Sequence, residues 1–208
     1  MSLSIIVPVY NESENINPFT DRVLLVLNKI NFEYEIIFVL DPSEDDTENK
    51  ILELIKKNPN IKLIKFSRRF GQPSAMLAGI KNSSLDNVVL IDVDLQDPPE
   101  LIEQMYESRK EGYETILAKR SKKKGENIIK KIISDIGYFL IYKLSDTNIP
   151  RNVGEFRLIS RRVVKEIEKL EEREFFLRGA SSYIGFKQKV LNFERESRSK
   201  GTTKFNKF

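Results

Sequence analysis

The chain contains no cysteine and no histidine. Without cysteine there are no disulfides, no thiolate nucleophile and no thiol redox chemistry, which fits an intracellular setting. Without histidine, Ser-His-Asp catalysis and histidine-bound zinc are excluded. A metal must then be held by oxygen ligands, and a general base must be Asp, Glu, Lys or Tyr. No apolar run approaches the roughly 20 residues that cross a bilayer. No signal peptide is visible, because Met1-Ser2-Leu3-Ser4 leads straight into a strand. What remains is 208 residues, 40% hydrophobic and 32% charged, the composition of one globular α/β domain with a sizeable core. The net charge of +4 is unevenly spread. Basic residues crowd Lys119 to Lys131 and Arg195 to Lys207, and such clusters suit phosphates, nucleic acid or an anionic membrane surface.

The chain is organised around Val88 to Glu100, VVLIDVDLQDPPE. Val88 to Ile91 reads as a buried strand, and it stops at Asp92, Asp94 and Asp97. Asp97-Pro98-Pro99-Glu100 reads as a helix start, with Asp97 as N-cap, Pro98 at the first helical position and Glu100 at capping-box spacing. Strand, acidic turn, helix is how an open α/β sheet offers a ligand site at the carboxyl end of its strands. In extended chain Asp92 and Asp94 point to one side. Their mutual repulsion is relieved by a hard divalent cation, which suits Mg²⁺ or Mn²⁺; a solvated acidic turn capping a helix is the bland alternative.

Strands are expected over Ser4–Val9, Tyr34–Leu40, Ile61–Phe66, Val88–Asp92 and Thr115–Ala118. Helices are expected over Glu14–Ile30, Thr47–Lys57, Gly71–Lys81 and Pro98–Glu111. This alternation predicts an α/β fold, a mostly parallel sheet with helices on both faces. Three strand ends carry acids, at Glu12, Asp41 and Asp92/Asp94, and their convergence points to a pocket. Further on, Asn127–Leu144 places isoleucines, Phe139 and Leu140 at helical spacing among lysines. It reads either as a core helix with a solvated side or as a helix lying on anionic lipid. Ile149–Ser160 leads into a helix over Arg162–Leu170, Val190–Phe193 returns to strand, and the tail from Arg195 is basic.

Six segments then follow in order: SIIVPVYNESENI from Ser4, FSRRFGQPSAMLAGI from Phe66, DVDLQDPPELI from Asp92, VGEFRLISRRVV from Val153, FLRGASSYIGFKQ from Phe176 and RESRSKGTTKF from Arg195. In this order and spacing the chain resembles the inverting family 2 glycosyltransferases of the Rossmann-like GT-A fold. Within them it looks like the polyprenyl-phosphate group, the dolichol-phosphate mannosyltransferases and bactoprenol glucosyltransferases. The resemblance implies that Pro8, Tyr10 and Glu12 line a nucleotide pocket and that Asp41 contacts base or ribose. It implies that Asp92 and Asp94, with Gln96, hold Mg²⁺ or Mn²⁺ on the donor diphosphate, and that Arg120 lies near the donor. Lys131, Arg198 and Lys204 would grip phosphates, and Glu155 stands where many relatives carry Asp in a GDFRL motif at the catalytic centre. The chain departs from the pattern in two places. Relatives read DDGSxDxT where this chain has Asp41-Pro42-Ser43-Glu44-Asp45-Asp46-Thr47 after Leu40. They carry SKY where this chain has Thr203-Lys204-Phe205.

The implied reaction moves a hexose from a nucleotide-diphosphate sugar, UDP-glucose-like before GDP-mannose, to a polyprenyl phosphate. An acceptor phosphate is already anionic near pH 7, so the lack of histidine is no handicap. The expected organisation is one catalytic domain over 1–208, with 1–120 binding the nucleotide sugar and 121–208 facing acceptor and membrane. It would work at the cytoplasmic face, as part of a longer protein or as an anchorless form, with a homo-oligomer left open. Transfer to a saccharide hydroxyl, or nucleotide-sugar binding without turnover, are the alternatives. Nucleic-acid binding ranks last, since no RNP-type aromatic pattern or recognition helix accompanies the basic clusters.

Overall fold

The computed structural model describes residues 2–121, 153–170 and 177–194. Lys131, Arg198, Lys204 and the 127–144 stretch lie outside them. Thirteen elements are described: β1 (Ser2–Val9), α1 (Ser13–Ile30), β2 (Glu33–Leu40), α2 (Thr47–Lys57), β3 (Ile61–Lys65), α3 (Gln72–Lys81), β4 (Asn87–Leu90), α4 (Leu101–Lys110), β5 (Thr115–Arg120), β6 (Val153–Ser160), α5 (Arg161–Glu168), α6 (Leu177–Tyr183) and β7 (Gln188–Phe193). The strands form one seven-stranded sheet in the order β3-β2-β1-β4-β6-β5-β7.

The first half is parallel. β1 lies between β2 and β4, with Ile5 opposite Ile36 on one side and Val89 on the other. These strands are apolar along their length because both faces are covered. Leu3, Ile5, Val7 and Val9 turn to one face, where they meet Ile36, Phe38 and Leu40 of β2, Ile16, Phe19, Val23 and Leu27 of α1, Ile51 of α2 and Met105 of α4. Ile6, Ile37 and Val39 turn to the other, against Met76 and Ile80 of α3, Val163 and Ile167 of α5 and Ala180 of α6. The helices therefore lie on both faces, as the alternation predicts. α3 comes especially close: a Cβ added at Gly79 would stand 2.1 Å from Ile6 Cγ2. The small residues of this helix are a packing requirement.

Three local expectations are corrected. β4 ends at Leu90, short of Asp92, and the acidic segment is a turn. α4 starts at Leu101 instead of Pro98, with Glu100 in the cap position and no side-chain cap bond. Pro98-Pro99 supplies no N–H donors, and each proline pushes the residue before it out of helical geometry. Asp97 is thereby released from capping, and Glu100 pairs instead with Arg22 of α1, at 2.7 and 2.8 Å. Third, Val153–Ser160, to which the sequence assigns no strand, is β6, inserted antiparallel between β4 and β5. Gly154, Glu155 and Arg157 hide it by breaking the apolar pattern, and Arg157 is fully buried. α6 is likewise an element the sequence reading does not assign.

Candidate active site

The carboxyl ends of β1, β2, β4 and β5 and the start of antiparallel β6 share one edge of the sheet. Asp41, Asp92, Asp94, Arg120 and Glu155 all stand at this edge, with Pro8 near the end of β1 and Tyr10 just beyond it.

The loops after β1 and β2 are stitched together. Asn11, in left-handed conformation at φ 51°, accepts from Glu44 N at 2.8 Å and donates from its own N to Ser43 Oγ at 2.9 Å. Glu12 N donates to Thr47 Oγ1 at 2.8 Å, and Ser13 N donates to Asp45 Oδ2 at 3.0 Å. Ser43, Asp45 and Thr47 are, with Asp41, the positions at which this chain keeps the DDGSxDxT pattern. Their work is to hold the YNES turn, and it is independent of Leu40 and Pro42. The Asp45 carboxyl is pushed up by burial, but hydrogen bonds from Thr47 and Ser13 outweigh this and hold it below the usual carboxylate range.

Asp41, buried at the end of β2, accepts from Phe70 N at 2.9 Å and Gly71 N at 3.0 Å. It therefore braces the loop into α3, which turns at Gly71 with φ 85°. Arg69 of that loop stacks its guanidinium 4.1 Å from the centroid of the Tyr10 ring, and Arg68 lies 4.0 Å from that of Phe70. Glu12 accepts from Asn15 Nδ2 at 2.6 Å.

Burial alternates along the acidic turn. Ile91, Val93 and Leu95 are buried in the core, while Asp92, Asp94 and Gln96 are partly open. The two carboxylates thus share the outer side although the segment is a turn and no longer a strand. Leu95 holds φ at 59°, a rare conformation for a branched residue, and its buried side chain fixes it there. Asp94 Oδ1 accepts from Gln96 N at 3.1 Å. Asp97 is 2% exposed and lies 3.7 Å from Arg120 Nη2. Burial pushes the Asp92 carboxyl up to about 7, the charges of Asp97, Asp94 and Glu155 add to the rise, and Arg120 opposes it. Four carboxylates and one arginine therefore share one field. Sequence reasoning missed the roles of Gln72, which donates from Nε2 to Asp92 Oδ1 at 2.6 Å, and of Asp97 as a charge partner. The paired prolines after Asp97 were the available signal for the second; nothing in the sequence marks the first.

The donor set fits a divalent ion. It is all oxygen, and it carries excess negative charge, with Asp92, Asp94, Asp97 and Glu155 facing the single arginine Arg120. Among the described residues no three acidic side chains form a ready-made cage. Mg²⁺ is commonly bound through one or two carboxylates together with substrate phosphates and water, so such a site needs no cage of its own.

Comparison with solved structures places this architecture in the GT-A fold of glycosyltransferases. A mannosyltransferase from Pyrobaculum calidifontis, solved with GDP-Man and Mn²⁺, superposes with a TM-score of 0.63 at 15% identity, covering 91% of this chain and 54% of that one. The model of glycosyl transferase family 2 matches residues 4–168, and the chain belongs to that family. An Escherichia coli K12 protein named prophage bactoprenol glucosyl transferase homolog is 38% identical over 206 residues, 99% of this chain and 67% of its own length. An uncharacterized glycosyltransferase of Bacillus subtilis is 42% identical over 202 residues, 97% of this chain and 62% of its own. The chain thus spans about two thirds of the length of these curated relatives. None of the helices described is long and apolar enough to cross a membrane.

Proposed function

We propose that the chain transfers a hexose, with glucose favoured, from a nucleotide-diphosphate sugar to a polyprenyl phosphate at the cytoplasmic membrane surface, inverting the anomeric centre. The observation that carries the reading is the acidic turn Asp92–Asp97 facing Arg120 and Glu155 at the carboxyl edge of a parallel sheet. The name of the Escherichia coli relative supports glucose and a bactoprenol acceptor.

Asp92 and Asp94, with Gln96, would hold Mg²⁺ or Mn²⁺. Such an ion supplies the positive charge that stabilises a departing nucleoside diphosphate. Pro8, Tyr10 and Glu12 line the donor side, and Asp41 keeps the adjoining loop in place. Arg120, 3.7 Å from the Asp97 carboxylate, adds positive charge beside the donor. An acceptor phosphate oxygen attacks C1 of the sugar as the bond from C1 to the diphosphate oxygen breaks. The phosphate arrives ionised, so Glu155 orients the acceptor and need not be a strong base. Lys131, Arg198 and Lys204 grip the acceptor phosphate, where arginine offers paired hydrogen bonds.

Mass spectrometry and proton NMR of the products, after incubation with UDP-glucose, UDP-N-acetylglucosamine, UDP-galactose or GDP-mannose, a short polyprenyl phosphate and an oligosaccharide acceptor, test the reading. A lipid-phosphate hexose of inverted anomeric configuration is expected. Transfer to a saccharide hydroxyl, with the lipid phosphate untouched, would refute it.

A further inference from the structure

β6 does not run evenly beside β5. Leu117 faces Arg157 and Lys119 faces Val153, so Gly154, Glu155 and Phe156 stand opposite Ala118 alone. A bulge of this kind takes backbone groups out of the ladder and re-aims side chains. Two carbonyls of this bulge, Gly154 O and Glu155 O, accept from the Arg157 guanidinium at 2.8 and 3.1 Å. The Nη2 that reaches Gly154 O also lies 3.3 Å from Glu155 Oε2. Arg157 is 0% exposed and heads the fully buried side chains by volume among the described residues. Burying an arginine is costly unless its donors are used, and here Nε and Nη2 both serve the irregularity in the strand.

The neighbours complete the device. A Cβ at position 154 would stand 3.4 Å from Arg120 Nη2, so glycine lets the Arg120 guanidinium lie over the bulge. Phe156 turns to the opposite face and meets Phe193 edge-on, with centroids 6.3 Å apart. Glu155, 20% exposed at its side chain, is thereby left facing the acidic turn, whose Asp92 feels its charge.

We infer that Arg157 is a positioning residue for the transfer reaction: by bracing the Gly154–Phe156 bulge from beneath, it fixes the direction in which Glu155 presents its carboxylate. Arg157 itself touches no substrate. The role needs a planar fork that spans two carbonyls and a carboxylate, which a lysine ammonium cannot reproduce. The inference rests on Glu155 standing at the transfer centre, as proposed above.

Arg157→Lys and Glu155→Gln, made singly and together, test it. For Arg157→Lys, kcat is expected to fall about 100-fold, with donor KM and metal-dependent nucleotide affinity unchanged, because only the aim of a reacting-centre group is lost. In the double variant, Arg157→Lys should add no further loss to that of Glu155→Gln. Multiplying losses, or wild-type kcat in Arg157→Lys, would overturn the inference. Should Arg157→Lys fail to fold, the Nη–H resonances of Arg157 in ¹⁵N-arginine-labelled protein decide: they should move in Glu155→Gln, and unmoved signals contradict the brace. Absence of wild-type turnover with every donor would instead overturn the reading of the site, while the resonances would still report on the brace.

Discussion

Gln72 Nε2 donates to Asp92 Oδ1 across 2.6 Å, so the first turn of α3 holds the first carboxylate of the acidic turn. Gln72 follows Gly71, and Gly71 N is held by Asp41. A chain of contacts therefore runs from the end of β2, through the start of α3, to the end of β4. Groups that orient a metal ligand commonly change affinity by about 10–100-fold when removed. Gln72→Ala should accordingly weaken Mn²⁺-dependent nucleotide binding by at least about tenfold, without a loss of thermal stability. Titration calorimetry with UDP and Mn²⁺ checks this, and unchanged affinity would show that Asp92 needs no orientation.

Gly79 sets the distance between α3 and the sheet. Gly79→Ala places a methyl 2.1 Å from Ile6 Cγ2 and 3.3 Å from Val39 Cγ2, both in the core. Overpacking of this kind costs about 1–3 kcal/mol. The expected result is a lower denaturation midpoint with an unchanged slope. Because α3 carries Gln72, weaker nucleotide binding should accompany it.

At the far end of the sheet, Glu35 is buried and surrounded by donors. Burial pushes its carboxyl up, but Lys62, Ser4 and Ser84 outweigh this and bring it from 4.5 to about 2. A depressed carboxyl stabilises the fold fully above its unfolded value and loses that contribution as pH falls through the folded one. Glu35→Gln should thus lower stability at neutral pH, and its deficit should shrink between pH 4.5 and about 2. With Lys62 half-exposed and screened, roughly 2 kcal/mol is expected. Urea denaturation across pH checks it; a deficit that grows on acidification would reverse the sign.

The parallel half was legible because it obeys simple rules. β2, α2 and α3 fall within a residue of their expected bounds and β1 within two, since apolar runs and helical spacing change cleanly at Asn11, Asp41 and Gly71. The acidic turn was legible from its alternation, which persists even though β4 ends at Leu90. What escaped was set by tertiary context. β6 carries a charge in its centre, and carbonyls of a neighbouring bulge accept from the buried Arg157. Asp97 looks like a cap until the two prolines move the helix start beyond its reach. The role of Gln72 depends on a contact 20 residues away in sequence. Of the candidate site residues, Pro8, Tyr10, Glu12, Asp41, Asp92, Asp94, Gln96, Arg120 and Glu155 stand at one sheet edge. Asp41 spends its carboxylate on the backbone of Phe70 and Gly71, a duty no spacing rule announces.

The most direct measurement is the initial rate of nucleoside diphosphate release from UDP-glucose in the presence and absence of Mn²⁺ and of a short polyprenyl phosphate, for the wild type and Asp94→Ala. The account expects release only when both are supplied, loss of that release on chelation, and none in Asp94→Ala although the variant remains folded. Release that proceeds without the lipid phosphate, or that survives in Asp94→Ala, would contradict it.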